Sequence, residues 1–296
     1  MGALLQAQLP ARHLRRGTQR RAAALAERAV RALILEALLT PKPALVDQRG
    51  PGAHRDLDLA KLLRSARALR GTFHRMALDA AASTAGVRLR ERLGALGRGG
   101  ERAMLEATGG SNAHRGAIWV LGLLVAATAL AGSDAAPREA AATAAGLARL
   151  PDRHAPRRLS NGARVCREFG VAGARGEAAA GFPHVIEVGL PALAAARHRG
   201  APESCARLDA LLAIMASLDD TCLLHRGGWA AVHAARGGAR RVLALGGSAT
   251  AAGAAALLAL DAELMRRNAS PGGCADLLAA CLFLDDAAQS EESWNA

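Results

Sequence analysis

Ala117-Ile118-Trp119-Val120-Leu121-Gly122-Leu123-Leu124-Val125-Ala126-Ala127-Thr128-Ala129-Leu130-Ala131 is the longest apolar run in the chain, 15 residues between Arg115 and Asp134. A helix needs about 20 such residues to cross a bilayer. The run therefore predicts a helix buried on all sides inside a folded protein. Upstream of it, Val30, Leu33, Ile34, Ala37 and Leu38 stand at the offsets of one helical face, which predicts a helix from Thr18 to Leu39. Thr40-Pro41-Lys42-Pro43 ends that helix in a stiff turn, because neither proline can continue it. Leu59, Leu62, Leu63, Ala66 and Leu69 form the stripe of a second helix, which Asp56 or Asp58 is placed to cap. A third is expected from Arg90 to Ala107.

Downstream, Asp134 to Asn161 carries Pro137, Pro151 and Pro156 and reads as a join between two halves. The second half offers a glycine-rich loop from Gly170 to Gly181 and a long helix from Glu203 to His225. An Ala-rich helix near Thr250 to Asn268 follows, then a last helix opened by Ser270-Pro271 as cap and first residue. Aromatic residues make up 2% of the chain, tyrosine is absent, and 51% of residues are hydrophobic. A core of Ala, Leu, Val and Gly suits closely packed helices better than sheets. The expectation is an all-α fold in a single multi-helix domain over 18–286, with tails at 1–17 and 287–296 and glycine-rich loops forming its site.

The net charge of +12 and pI of about 11.1 admit nucleic acid, an anionic membrane or a small polyanion as partner. All but two of the 38 basic residues are arginine, the exceptions being Lys42 and Lys61, and they are dispersed along the chain. Scattered, scarce aromatics argue against reading single-stranded nucleic acid by stacking. Five cysteines at 166, 205, 222, 274 and 281 show no CxxC pair, and read as reduced intracellular thiols. Residues 1–16 lack the continuous apolar centre of a secretory signal. No nucleic acid, no membrane and a cytoplasmic setting are expected.

The phosphate-loop, dinucleotide, nucleophile-elbow and HExxH patterns are missing from the sequence. Thr108-Gly109-Gly110-Ser111-Asn112-Ala113-His114-Arg115-Gly116 instead leads straight into the apolar helix, where free amides and the helix dipole attract anions. An ordinary connection with a surface His and Arg has the same spacing. Along the helix from Glu203, the residues Leu208, Leu212, Met215, Asp219 and Cys222 share a face. That puts a carboxylate on the apolar side, where it needs a partner. With Asp220 it is suited to holding Mg2+ against phosphate oxygens, although a helix ending there would leave both solvated. Arg175, in Gly173-Ala174-Arg175-Gly176-Glu177, has the fork geometry for phosphate. Asp276 falls near the start of the last helix.

Together these segments resemble the triphosphoribosyl-dephospho-CoA synthase family. The resemblance is carried by Thr40-Pro41-Lys42-Pro43-Ala44-Leu45-Val46-Asp47, by Gly52-Ala53-His54-Arg55-Asp56-Leu57-Asp58, and by Glu106-Ala107-Thr108-Gly109-Gly110 through Gly116. It continues in Gly173-Ala174-Arg175-Gly176-Glu177, Gly181-Phe182-Pro183, Asp219-Asp220-Thr221 and Ser270-Pro271-Gly272-Gly273-Cys274-Ala275-Asp276. Ala44 stands where the family commonly has glycine, Ser111 and Ala113 where it often has valine and threonine, and Cys274 in place of a small residue. The stretch from Asp219 to Gly228 and the Ala- and Arg-rich sequence around it are more similar to the malonate decarboxylase branch than to the citrate lyase branch.

The resemblance implies transfer of the triphosphoribosyl group of ATP to the 2′-hydroxyl of 3′-dephospho-CoA. Adenine leaves, and the product passes to a carrier-protein holo-synthase. On that basis Lys42, Thr108, Gly109, Gly110, Asn112, His114, Arg115, Arg175, Ser270, Gly272 and Gly273 are candidates to bind substrate phosphates. Asp56, Asp58, Asp219, Asp220 and Asp276 are candidates to hold Mg2+. Glu106, Glu177 or Asp219 is the candidate for the carboxylate at the ribose C1′ or the base, and Asp219→Asn is expected to abolish adenine release with the fold intact. Two rivals remain: a Mg2+-dependent N-glycosyl hydrolase of the ADP-ribosyl type, which releases a free sugar, and a basic helical nucleic-acid binder.

Overall fold

The computed structural model describes residues 8–132, 135–156 and 159–292. The regular elements of the described chain are all helices, and its only β feature is an isolated bridge between Asp47 and Gly50. The elements are α1 (Gln8–Leu38), α2 (Leu59–Ala68), α3 (Arg70–Ala81), α4 (Val87–Thr108), α5 (Arg115–Ala131), α6 (Pro137–Arg149) and α7 (Asn161–Phe169). After α8 (Gly173–Ala179) a π-helical turn (His184–Gly189) runs directly into α9 (Leu190–His198). α10 (Glu203–Met215), α11 (Thr221–Ala244), α12 (Ala251–Arg266) and α13 (Gly272–Glu292) complete the fold.

The apolar run is α5, and every residue from Val120 to Thr128 is buried. Its neighbours are α1, α3, α4, α6, α8 and α13, so no face of its middle is left for solvent. Small side chains allow this closeness: a Cβ at Gly122 would lie 2.9 Å from Sδ of Met76 on α3. The one polar side chain in the run, Thr128, satisfies its hydroxyl by donating to the Leu124 carbonyl at 2.9 Å. α13 is the second internal helix, with Leu277 to Leu284 buried between α1, α5, α6, α10, α11 and the π turn. Fully burying one Leu of such a helix stabilises by about 1.5–3 kcal/mol. The two buried helices meet near their N-terminal ends, and this meeting positions the site.

Several boundaries differ from those read in the sequence. α1 begins at Gln8, so residues expected to form a tail continue the helix, and α13 runs on to Glu292. Asp134, Arg157 and Arg158 of the expected join lie outside the described residues, yet the segment contains α6, which packs on α5 and α8. Its Pro137 sits in the first turn, where a missing N–H costs nothing. The expected loop from Gly170 to Gly181 holds α8.

The helix expected from Glu203 to His225 is two helices. α10 stops at Met215, and Asp220 then caps α11 by accepting from the amides of Cys222 at 2.7 Å and Leu223 at 3.3 Å. α11 is itself broken at Gly228, whose φ of 57° and ψ of −159° require glycine. Asp58, not Asp56, caps α2, with its Oδ1 2.8 Å from the Lys61 amide.

Candidate functional site

Lys42 is 1% exposed, and its ammonium donates to the Glu36 carbonyl at 2.7 Å and to Glu36 Oε1 at 2.5 Å. Glu36 closes the last turn of α1, three residues from Leu33 on its buried face. The turn that carries Lys42 is pinned by Asp47, whose Oδ2 accepts the Lys42 amide at 2.9 Å, and by Arg49, which bonds Asp47 and the Lys42 carbonyl. Arg49 also meets Asp261 of α12 at 2.8 Å, and Asp261 accepts the Ala44 amide at 2.7 Å. Ala44 takes a φ of +53°, the left-handed region that favours glycine.

His114 precedes α5, is 3% exposed, and shares a 2.7 Å hydrogen bond between Nδ1 and Ser65 Oγ. Its Nε2 is buried without a partner. Burial, with Lys42 as a nearby cation, lowers its pKa to about 3, so the ring is neutral.

Asp276 lies against Gly116, where a Cβ would overlap Oδ2, and it accepts a hydrogen bond from the Ala117 amide. Burial raises its pKa well above the usual carboxylate range, and Glu36 and Asp220 add to the rise by charge repulsion. Asp220 is 1% exposed and accepts the Cys274 amide of α13 at 2.8 Å in addition to its two caps on α11. Burial raises its pKa as well, opposed by those amides. Lys42, Glu36, His114, Asp276 and Asp220 thus form one ionisable group drawn from α1, the turn after it, and the N-terminal ends of α5, α11 and α13.

The glycine segment is shaped differently from a loop of free amides. Gly109 ends α4 in the left-handed conformation, and the Gly110 amide returns to the Leu105 carbonyl at 2.8 Å. The Thr108 hydroxyl bonds the Met104 and Ser111 carbonyls, and Asn112 Oδ1 accepts the Arg115 amide at 3.2 Å. With Asp276 on Ala117, the Arg115 and Ala117 amides at the start of α5 have the protein's own acceptors. Arg115 pairs with Glu101 at 3.0 Å.

Ser270 does not cap α13. Its hydroxyl meets His54 Nε2 at 3.0 Å while Asp220 takes the Cys274 amide. Gly272 and Gly273 let α13 pass close to Cys222 and Asp220, 3.0 and 3.1 Å from where a Cβ would stand. His54 is also 3.2 Å from Arg226, and burial and that cation lower its pKa to about 4.

The other candidates stand apart from this group. Asp219, expected on the apolar face of a helix, lies in the break between α10 and α11 with 43% of its side chain exposed, paired to Arg236 at 2.6 Å. Glu177 is buried, and both of its oxygens hold His184, at the amide (2.9 Å) and at Nδ1 (2.8 Å). Glu106 is exposed at the end of α4. Asp56 and Asp58 are exposed, the Asp56 carbonyl accepting from Ser111 and Lys61. Arg175 is exposed and lies against the Trp119 ring, 5.7 Å from its centroid.

Among the described residues no group of three or more His, Cys, Asp or Glu stands so as to hold a metal ion. The acidic residues singled out for Mg2+ therefore do not form a cage. Glu36 and Arg90 went unmarked in the sequence, while Asp47, His54 and Arg226 stood in stretches quoted for the resemblance with no role assigned. Only Glu36 gave a signal there, as an acid one turn beyond Leu33 in an apolar stripe.

Among the described residues, no single helix is long and apolar enough to cross a membrane, and the five cysteines are free. No solved structure matches the chain. A curated 2-(5''-triphosphoribosyl)-3'-dephosphocoenzyme-A synthase of Klebsiella pneumoniae is 56% identical over 261 residues, covering 88% of this chain and 93% of that protein. A probable synthase of the same description from Azotobacter vinelandii is 57% identical over 263 residues, covering 88% and 90%. One from Pseudomonas aeruginosa is 57% identical over 263 residues, covering 88% and 89%. The family model described as ATP:dephospho-CoA triphosphoribosyl transferase (CitG) matches residues 22–295, and with those relatives it shows that the chain belongs to this transferase family.

Proposed function

We propose that the chain transfers the triphosphoribosyl group of ATP to the 2′-hydroxyl of 3′-dephospho-CoA and supplies the prosthetic-group precursor of the malonate decarboxylase acyl-carrier protein. The bond from ribose C1′ of ATP to adenine breaks, and C1′ bonds to the acceptor oxygen. The hydroxyl proton leaves to a base, and adenine departs protonated. No phosphate bond is cleaved. Family membership supports the reaction, and the Asp219 to Gly228 stretch supports the malonate decarboxylase branch.

The observation that carries the site is the interior group of Lys42, Glu36, His114, Asp276 and Asp220. Charge developing at C1′ calls for carboxylates, and departing adenine calls for a proton donor. Asp276, whose pKa burial raises, is the donor in this reading, and Glu36 is the carboxylate that faces the cationic ribose. Neutral His114 offers Nε2 to a substrate hydroxyl or phosphate. Asp220 positions Asp276 by fixing the start of α13. The triphosphate of ATP would carry its own magnesium, which would offset phosphate charge, and no residue of this group is assigned to hold the ion. The five free cysteines and the intracellular substrates favour a cytoplasmic setting.

The test is to incubate the protein with ATP, Mg2+ and dephospho-CoA and to follow adenine together with the mass of the CoA product. Adenine with a joined product is expected. Adenine with free sugar triphosphate would favour the hydrolase, and no adenine with salt-sensitive retention on DNA or RNA would favour the nucleic-acid binder.

A further inference from the structure

Arg90, in the first turn of α4, is 5% exposed, and its Nε has no hydrogen-bond partner. The nearest carboxylate, Asp152, is 3.8 Å from Nη1, too far for a hydrogen bond. Asp152 is committed elsewhere: Arg98 donates to it at 2.9 Å, and it accepts the His154 amide at 2.9 Å. It approaches α4 so closely that a Cβ at Gly94 would overlap Oδ2. Glu91, the next acid along, is taken by Arg153 through two hydrogen bonds of 2.6 and 3.1 Å.

Trp119 of α5 completes the arrangement. The Arg90 guanidinium lies 4.9 Å from its ring centroid and that of Arg175 lies 5.7 Å away, so two arginines share one indole. The indole Nε1 donates to the Ala174 carbonyl at 3.1 Å, which ties α8, and with it Arg175, to this spot. Arg90 and Arg98 therefore share the Asp152 carboxylate, and Arg175 lies against the same indole as Arg90. Burial pulls the Arg90 pKa down, and Arg175 and Arg98 reinforce it while Asp152 opposes. A ring quadrupole offsets only about 2 kcal/mol of such a cost. A buried cation whose nearest carboxylate is already taken calls for an anion.

We propose that Arg90 and Arg175, both against Trp119, form the subsite for the triphosphate chain of ATP, with Arg90 as its buried anchor. This rests on the transferase reading. Guanidinium forks bind phosphate oxygens in pairs, and a chain of three phosphates has enough charge to satisfy several at once. Trp119 is three residues beyond Gly116, against which Asp276 lies, so the subsite sits about one turn of α5 from the carboxyl group assigned as proton donor to adenine. One turn rises about 5.4 Å, the scale of a pentose ring.

Trp119 also provides the readout. In the full chain with Trp229→Phe and Trp294→Phe, sodium tripolyphosphate is titrated without magnesium at fixed ionic strength, following Trp119 emission and the heat of binding. A saturable emission change is expected, with Arg90→Gln and Arg90→Lys each weakening affinity roughly tenfold or more. Arg138→Gln, at an exposed pair with Glu187, is expected to leave affinity unchanged. Helical circular dichroism checks each variant, and Arg175→Gln, on an exposed side chain, supplies the same comparison if Arg90 variants do not fold. Unchanged tripolyphosphate affinity in the folded variants, or no response of Trp119, overturns the subsite. Saturable binding at Trp119 in a chain that releases no adenine keeps the subsite and rejects the transferase reading. Adenine release that survives Arg90→Gln undiminished does the reverse.

Discussion

Asp276 and Gly116 are in contact: the carboxylate lies where a side chain at 116 would be, and from there it accepts the Ala117 amide. This joins the N-terminal turn of α13 to that of α5. Gly116→Ala is therefore expected to push Asp276 off its position. Alanine gains up to about 1 kcal/mol of helix propensity, and loss of a buried hydrogen bond to a carboxyl costs about 1–3 kcal/mol. Thermal stability should fall modestly while adenine release falls at least about a hundredfold, since each 1.4 kcal/mol at the transition state is about tenfold. Wild-type rates in Gly116→Ala would remove Asp276 from the reaction.

The neighbouring carboxylates Asp219 and Asp220 should respond oppositely to the same change. Asp220 accepts three amides with two oxygens, and Asn offers one acceptor and would point its NH2 at an amide. Asp220→Asn is expected to cost about 1–3 kcal/mol in urea unfolding and to lower activity through displaced α13. Asp219 is in a half-exposed pair with Arg236, so Asp219→Asn should change stability by less than about 1 kcal/mol. Its adenine release is expected to exceed that of Asp276→Asn, and a total loss in Asp219→Asn would restore a direct role to that residue.

Lys42 and Glu36 form a buried pair, so removing one partner strands the other charge. Lys42→Met should destabilise by about 3–5 kcal/mol. The double variant Lys42→Met with Glu36→Leu should recover most of that loss in the same unfolding measurement, yet remain inactive. Activity in the double variant would make the pair purely structural.

Ala44 is held at a φ of +53° beside the Lys42 turn. A left-handed alanine costs about 1–2 kcal/mol, and glycine avoids this at an entropic cost of about 0.5–1 kcal/mol. Ala44→Gly is expected to stabilise by about 0.5–1 kcal/mol, read as a rise in Tm with activity retained. A fall in Tm would count against this backbone geometry.

The histidines set a dependence on acid. His114 and His54 have folded pKa values of about 3 and about 4, below their ordinary 6.5. Above 6.5 both states are neutral and neither residue contributes a slope. As pH falls below 6.5 the unfolded chain takes protons that the folded chain refuses, so stability declines, by up to about 1.4 kcal/mol per pH unit for each histidine. The decline ends near pH 4 for His54 and near pH 3 for His114. Asp276 acts in the opposite sense: its raised pKa favours the folded state at low pH, and that contribution is lost as pH rises above the ordinary 3.8 towards the raised value. Urea titrations of His114→Gln between pH 4 and 6.5 should show a shallower slope than wild type.

The sequence by itself determined the helical class, the burial of the middle of the apolar run and the motifs of the family, because periodicity, composition and local turn chemistry act over a few residues. It marked Lys42, His114, Asp220 and Asp276 as residues of interest for the same reason: each stands beside a proline, a glycine run or a helix start. It did not separate Asp219 from Asp220, since one residue of helix ending decides which carboxylate turns inward. Tertiary structure alone decided that α8 occupies an expected loop, that Asp276 serves the start of α5, and that Glu36 holds Lys42. Arg90 is the clearest instance. Nothing in its local sequence distinguishes it from more than thirty other arginines. Its meaning comes from burial against Trp119, from a carboxylate already taken by Arg98, and from a second arginine delivered by a helix far along the chain.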